Sequence, residues 1–166
     1  PLTDLPNRRR ALEHLERELA LARARGTAVG VFFVDLDNFK NLNETLGHAE
    51  GDRLLKSVAE RLTDAISSTG YAARLGGDEF TVIHGGAQDV EAVRAAGWAL
   101  VKAFQRPLRV GAHELLVSVS VGASFFPDHD QSAEALLRDA DAALYRAKQM
   151  GRSQLALYTP ELLEIA

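Results

Sequence analysis

The chain has 166 residues, 46% hydrophobic and 25% charged, the size and balance of one globular domain with a core of its own. A net charge of -4 excludes the general basic surface that a nucleic-acid polymer needs, and the absence of cysteine excludes disulfides and thiolate metal sites while permitting a reducing compartment. No apolar run approaches the roughly 20 residues that span a bilayer, and no signal-peptide pattern opens the sequence, so a cytoplasmic fragment without membrane contact is expected.

Pro6 and Asn7 open a helix in which Leu12, Leu15 and Leu19 recur on one face, and Gly26 closes it. Val29 to Val34 is almost wholly apolar, β-branched or aromatic, and predicts a strand buried on both faces. Leu54, Val58, Leu62 and Ile66 follow at helical spacing. Tyr71 to Leu75 and Phe80 to Ile83 flank Gly76-Gly77-Asp78 and predict a β-hairpin with an acidic tip. A helix is expected over Ala92 to Phe104, ended by Pro107. Apolar residues alternating with Ser118 and Ser120 over Leu115 to Val121 predict a strand half exposed on one face. The last helix runs from about Ser132 to Met150, burying Leu136, Leu137, Ala140, Leu144 and Ala147, and Gly151 stops it before a short strand at Leu155 to Tyr158. Helices and strands alternate around a central hairpin, so the expected fold is a single α/β domain, a mixed β-sheet flanked by helices.

Acids gather at the ends of these elements. Asp35 and Asp37 directly follow the apolar strand, while Asp78 and Glu79 lie at the hairpin tip. In an open α/β sheet ligands bind beyond strand ends, and clustered carboxylates there repel one another unless a cation lies between them. A few hard oxygen ligands, completed by water and phosphate oxygens, describe magnesium in nucleotide enzymes. The same acids also suit solvated turns, and Gly76 and Gly77 suit a turn that needs positive φ. The whole string RLGGDEF, Arg74 to Phe80, is far from a generic turn.

Five motifs stand in order: LTDLPNRR (Leu2 to Arg9), VDLDNFKNLNETLGHAEGD (Val34 to Asp52), RLGGDEF, SVSVGAS (Ser118 to Ser124) and DADAALYRAKQMGRS (Asp139 to Ser153). With them the sequence resembles the GGDEF family of diguanylate cyclases along essentially its whole length. The resemblance implies a fold like the nucleotidyl cyclase palm, with a ferredoxin-like core, over residues 1–156, and an enzyme that condenses two GTP into cyclic di-GMP. It implies two magnesium (or manganese) ions per GTP, held by Asp35, Glu79 and the backbone carbonyl of Leu36. Asp78 is implied to assist deprotonation of the attacking 3′-hydroxyl or to make a further metal contact. Gly76 and Gly77 would let the backbone approach the nucleotide closely. Asn43 and Asp52 match the guanine-reading pair, whose carboxylate and amide suit the donors and acceptors of that base, and His48 is counted with them as substrate-binding. Phe39 and Lys40 match the loop that wraps the triphosphate, and Lys148 and Arg152 the cations on the terminal phosphates. Taken singly, Lys148 and Arg152 also suit a helix end, Asn43 a turn, Asp52 an N-cap ahead of Leu54, and His48 an open surface. The implied partners are GTP and a second copy of the chain in a transient homodimer.

Three departures from the family pattern stand out. Asn43-Glu44 replaces the common Asn-Asp, Ser153 replaces the common Asn after Gly151-Arg152, and Ser67 to Gly70 carries neither member of the inhibitory Arg-x-x-Asp. The stretch LYTPELLEIA from Leu157 resembles the junction ahead of an EAL-type phosphodiesterase domain. The expectation is therefore a fragment of a longer protein with sensor and EAL neighbours, a parent that missing segments could anchor in a membrane. The alternative function is a catalytically weak or inactive GTP-binding regulator of such a neighbour.

Overall fold

The computed structural model describes residue 3 and residues 5–66, 70–127 and 132–158. Ser67 to Thr69, three of the four positions of the missing inhibitory motif, lie outside the described residues, as does the junction from 159 onward. Helix α1 (Arg8–Arg25) begins where the Asn7 side chain accepts the Arg10 N–H at 3.0 Å, and ends at Gly26, whose φ of 69° is the left-handed value a closing glycine takes. Strand β1 (Ala28–Leu36) is buried at every position, as its apolar run predicts. Helix α2 (Phe39–Leu46) follows, then α3 (His48–Ala65), the hairpin strands β2 (Gly70–Gly76) and β3 (Glu79–Ala87), and α4 (Val90–Ala103). Asp89 caps α4 through the Ala92 N–H at 2.9 Å. Strands β4 (Leu108–Val110) and β5 (His113–Leu115) form a small hairpin of their own, followed by β6 (Val119–Phe126), α5 (Ala133–Gln149) and β7 (Leu155–Leu157).

The structure corrects the sequence reading in three places. Phe39 and Lys40 lie in the first turn of a helix, α2, and not in a loop. That helix has no side-chain cap and no fully buried residue, and its short apolar side, Phe39, Leu42 and Leu46, is the one signal of it in the sequence. The strand expected over Leu115 to Val121 is divided: Leu115 ends β5, residues 116–118 lie outside any strand, and β6 starts at Val119. Nor is that strand half exposed, because Ser120 and Ser124 are buried with their hydroxyls donating inside the protein, Ser124 to the Leu136 carbonyl at 2.6 Å. Asp52, finally, is not an N-cap, because α3 already begins at His48.

The main sheet runs β2-β3-β1-β6-β7, with β1 antiparallel to both neighbours and β7 parallel to β6, a mixed sheet as expected. Alternation along β1 sends Val29, Val31 and Phe33 to one face, packed with Leu15 and Leu19 of α1 and Leu136 and Leu144 of α5. Phe32, Val34 and Leu36 go to the other, against Leu54, Val58 and Leu62 of α3 and Leu100 of α4. Each such side chain contributes about 1.5–3 kcal/mol on burial, and Phe32→Ala would cost about 3–5 kcal/mol. The same alternation continues past the core, so Asp35 and Asp37 project on the α1 and α5 side. There α5 lies very close to the sheet. A Cβ added at Gly122 of β6 would stand 2.0 Å from the Leu144 nitrogen and 2.3 Å from the Ala140 carbonyl oxygen. That contact brings the C-terminal turn of α5 to the end of β1.

Candidate active site

Asp35 and Glu79 are directly opposed in the β1–β3 ladder, so their side chains leave the same face of the sheet. Lys148, from the last turn of α5, donates its Nζ to Asp35 Oδ2. Asp35 Oδ1 is buried and has no hydrogen-bond partner. Burial pushes the Asp35 carboxyl up to about 7, the neighbouring Asp78 carboxyl adds to the rise, and Lys148 opposes it. Glu79 is raised as well, first by burial and then by the charges of Asp141 and Asp78, against the pull of Lys148 and Arg8. Asp35 and Glu79 thus share one corner, beside Asp78, with too little positive charge to favour ionisation of both.

The hairpin tip that presents two of those acids is shaped by its glycines. Gly76 and Gly77 have φ of 143° and 54°, both outside the range that most side chains accept. An added Cβ at either would meet nothing within 4 Å in the protein. Arg74 holds the tip by donating its Nη2 and Nε to the Gly77 carbonyl at 2.8 and 3.2 Å.

On the other side of the β1 terminus, Asn43 of α2 and His48 of α3 meet at 3.3 Å between Nδ2 and Nδ1. Gly51 makes room for this amide, since a Cβ there would lie 2.0 Å from Asn43 Oδ1. Asp52 is exposed in the same turn of α3. Phe39 packs against the α3 and α4 core, whereas Lys40 is exposed at the start of α2. Leu36 is buried at the end of β1.

Arg152 does not stand free. It lies in the turn between α5 and β7, with Nη1 4.0 Å from Asp37 Oδ1. Asp37 also accepts Ser120 Oγ and Ser118 Oγ, each at 2.6 Å, and the Ser153 N–H at 3.1 Å. The structure therefore brings Asp35, Asp78, Glu79 and Lys148 into one cluster and sets Arg152 beside it on Asp37. Sequence reasoning singles out neither Arg8 nor Asp141, which act on Glu79 only through space, and misses the serines that hold Asp37. For the serines a signal existed: two polar residues alternating inside an apolar run are either exposed or bonded.

Residues 1–154 match the family described as diguanylate cyclase, GGDEF domain. The chain belongs to the GGDEF family. It is 36% identical over 162 residues to the diguanylate cyclase DosC of Escherichia coli, an alignment that covers 97% of this chain and 35% of DosC. It is also 36% identical over 161 residues to the cyclic di-GMP phosphodiesterase PdeR of the same organism, covering 97% of this chain and 24% of PdeR. This GGDEF chain therefore spans about a third or less of those curated relatives. Among solved structures, the GGDEF domain of TpbB (YfiN) from Pseudomonas aeruginosa has a TM-score of 0.91 at 35% identity, covering 99% of this chain and 96% of that one. GTP and magnesium binding are general properties of the family.

The residues of this GGDEF domain suit such an ion. A buried, unpartnered Asp35 oxygen opposite a raised Glu79 asks for positive charge. Among the described residues no group of three or more His, Asp or Glu stands ready to hold a metal. A set of few protein ligands is what magnesium uses when phosphate oxygens and water complete its octahedron. No helix among the described residues is long and apolar enough to cross a membrane.

Proposed function

We propose that this domain condenses two GTP molecules into cyclic di-GMP with release of pyrophosphate. The observation that carries the reading is the corner where Asp35 faces Glu79, with one Asp35 oxygen unpartnered and Lys148 on the other. Asp35, Glu79 and the Leu36 carbonyl would hold two magnesium or manganese ions per GTP, and those ions would supply charge neutralisation on the phosphates. Lys148 and Arg152 bind the outer phosphates, with Phe39 and Lys40 at the start of α2 lining the triphosphate. Asn43, His48 and Asp52 read the guanine. Gly76 and Gly77 leave open space at the hairpin for the nucleotide.

In the reaction each 3′-oxygen forms a bond to the α-phosphorus of the partner's GTP, and the bond from that phosphorus to the bridging oxygen breaks. Pyrophosphate leaves with the electron pair, and the hydroxyl proton passes toward Asp78. Positioning and charge supply most of the acceleration, as in phosphoryl transfer generally. Two copies of the domain must meet transiently, because each contributes one loaded half-site. A cytoplasmic setting fits the substrate.

The second reading, a GTP-binding regulator of a neighbouring phosphodiesterase, is favoured by the similarity to PdeR. Chromatography of products after incubation with GTP and magnesium separates the two. Cyclic di-GMP formed at a rate rising faster than linearly with protein concentration supports the cyclase, whereas GTP bound without product leaves the regulator.

A further inference from the structure

Asp37 adjoins the site, yet the reaction above gives it no task. Its side chain is buried, 4% exposed, and filled: two serine hydroxyls, one backbone N–H and a guanidinium converge on its two oxygens. The donors come from three places, since Ser118 and Ser120 belong to the start of β6 and its approach, while Arg152 and Ser153 belong to the α5–β7 turn. Gly151, Arg152 and Ser153 have φ of 119°, 64° and 50°. Consecutive left-handed residues other than glycine are unfavourable and persist only where the surroundings impose them. The Arg152 N–H to the Ala147 carbonyl at 3.1 Å and the Ser153 N–H to Asp37 at 3.1 Å are the bonds that impose it here.

We propose that Asp37 is a positioning residue for the phosphate-binding cations: its carboxylate fixes the Gly151–Ser153 turn and aims the Arg152 guanidinium at the site without touching substrate. The proposal rests on the GTP reading above. Its geometry requires a carboxylate in particular. Every group facing Asp37 donates, so an acceptor-only side chain satisfies all of them, whereas an amide would turn a donor of its own on one of the donors. Asp35 at the end of β1 and Asp37 just past it thereby hold the two cations of α5 and its following turn, Lys148 and Arg152, one each.

Calorimetry of the domain with magnesium and a non-hydrolysable GTP analogue, and separately with GMP, tests it. Asp37→Asn is expected to weaken the GTP analogue about tenfold and to leave GMP within about twofold, because only the former reaches a misaimed Arg152. Arg152→Ala should cost as much, and the double variant no more than Arg152→Ala alone, the non-additivity of two residues acting through one contact. A purely structural clamp would weaken both nucleotides alike or add its loss to that of Arg152→Ala, and either result overturns the proposal. If Asp37→Asn does not fold by circular dichroism, Ser118→Ala with Ser120→Ala replaces it, and equal losses for the two nucleotides again refute the role. Wild-type protein that bound no GTP analogue would instead bring down the functional reading itself.

Discussion

On the hairpin side of the site, Asp35, Asp78 and Glu79 crowd together, with the Asp35 and Glu79 carboxyls raised and an Asp35 oxygen without a partner. On the side of the α5–β7 turn, Asp37 has every neighbour donating to it. The two aspartates stand two residues apart, Asp35 within β1 and Asp37 immediately past its end, and both are buried. What separates them is the supply of donors, which β6 and the turn deliver to Asp37 and the hairpin does not deliver to Asp35. An acid whose acceptor sites are all filled works as a bracket within the protein. An acid left short of donors in a buried place has a deficit that a ligand can meet, and here the matching ligand is a cation that arrives with phosphates.

The difference is broken most severely by removing the under-supplied acids. Asp35→Ala and Glu79→Ala are each expected to lower cyclic di-GMP formation about a hundredfold or more. Neither side chain belongs to the apolar core clusters, so thermal unfolding should remain a single transition. Near-wild-type product in either variant would remove the metal assignment. Lys148→Ala sharpens the comparison, because it should act with opposite signs on two ligands. The GTP analogue should bind about tenfold more weakly, as expected for one lost charge-assisted contact, with GMP little affected. Manganese alone, titrated against nucleotide-free protein, should bind more tightly, since Nζ no longer occupies Asp35 Oδ2. Weaker manganese binding in this variant would mean that Lys148 does not compete for that oxygen.

Much of this was legible in the sequence, for physical reasons that differ by element. Buried β1 announces itself because a strand covered on both faces must be apolar throughout, and α1 because Asn7 and Gly26 mark its ends. The opposition of Asp35 and Glu79 follows once RLGGDEF is read as a hairpin packed beside that strand. Helix α2 is missed because its apolar side, Phe39, Leu42 and Leu46, is only two turns long and half-buried, and it sits inside a stretch matched as a loop. The distinction between Asp35 and Asp37 was also beyond the sequence. It depends on Ser118, Ser120 and Ser153, which are 81 or more positions away and meet Asp37 only when β6 pairs with β1 and α5 closes on Gly122. Ser118 and Ser120 suggest a strand exposed on one face, whereas their polarity serves an acid inside.

The smallest effect expected is a thermal one, and it isolates Asp35 from its filled neighbour. In the folded, metal-free protein the Asp35 carboxyl is raised from 3.8 to about 7, so the fold favours its protonated form. A group with a raised folded value contributes stability that is fully present below its unfolded value and is lost as pH rises through the folded one. The window is therefore pH 4 to 7, and across it the wild-type protein in chelator should lose stability on account of this residue; Glu79, raised too, adds in the same sense. Asp35→Asn removes the Asp35 share, because an amide does not titrate. Its melting temperature should match that of the wild type near pH 4 and exceed it near pH 8 by a few degrees, about 2–4 °C for each kcal/mol in a chain of this length. Manganese should raise the wild-type value chiefly at the upper end of the window, where the carboxylate is unprotonated, and leave Asp35→Asn almost unmoved. Melting curves in chelator and in manganese at the two pH values give all four comparisons. Were Asp35→Asn less stable than the wild type at pH 8 without metal, the pairing with Lys148 would outweigh the crowding of acids, and Asp35 would be a bracket like Asp37.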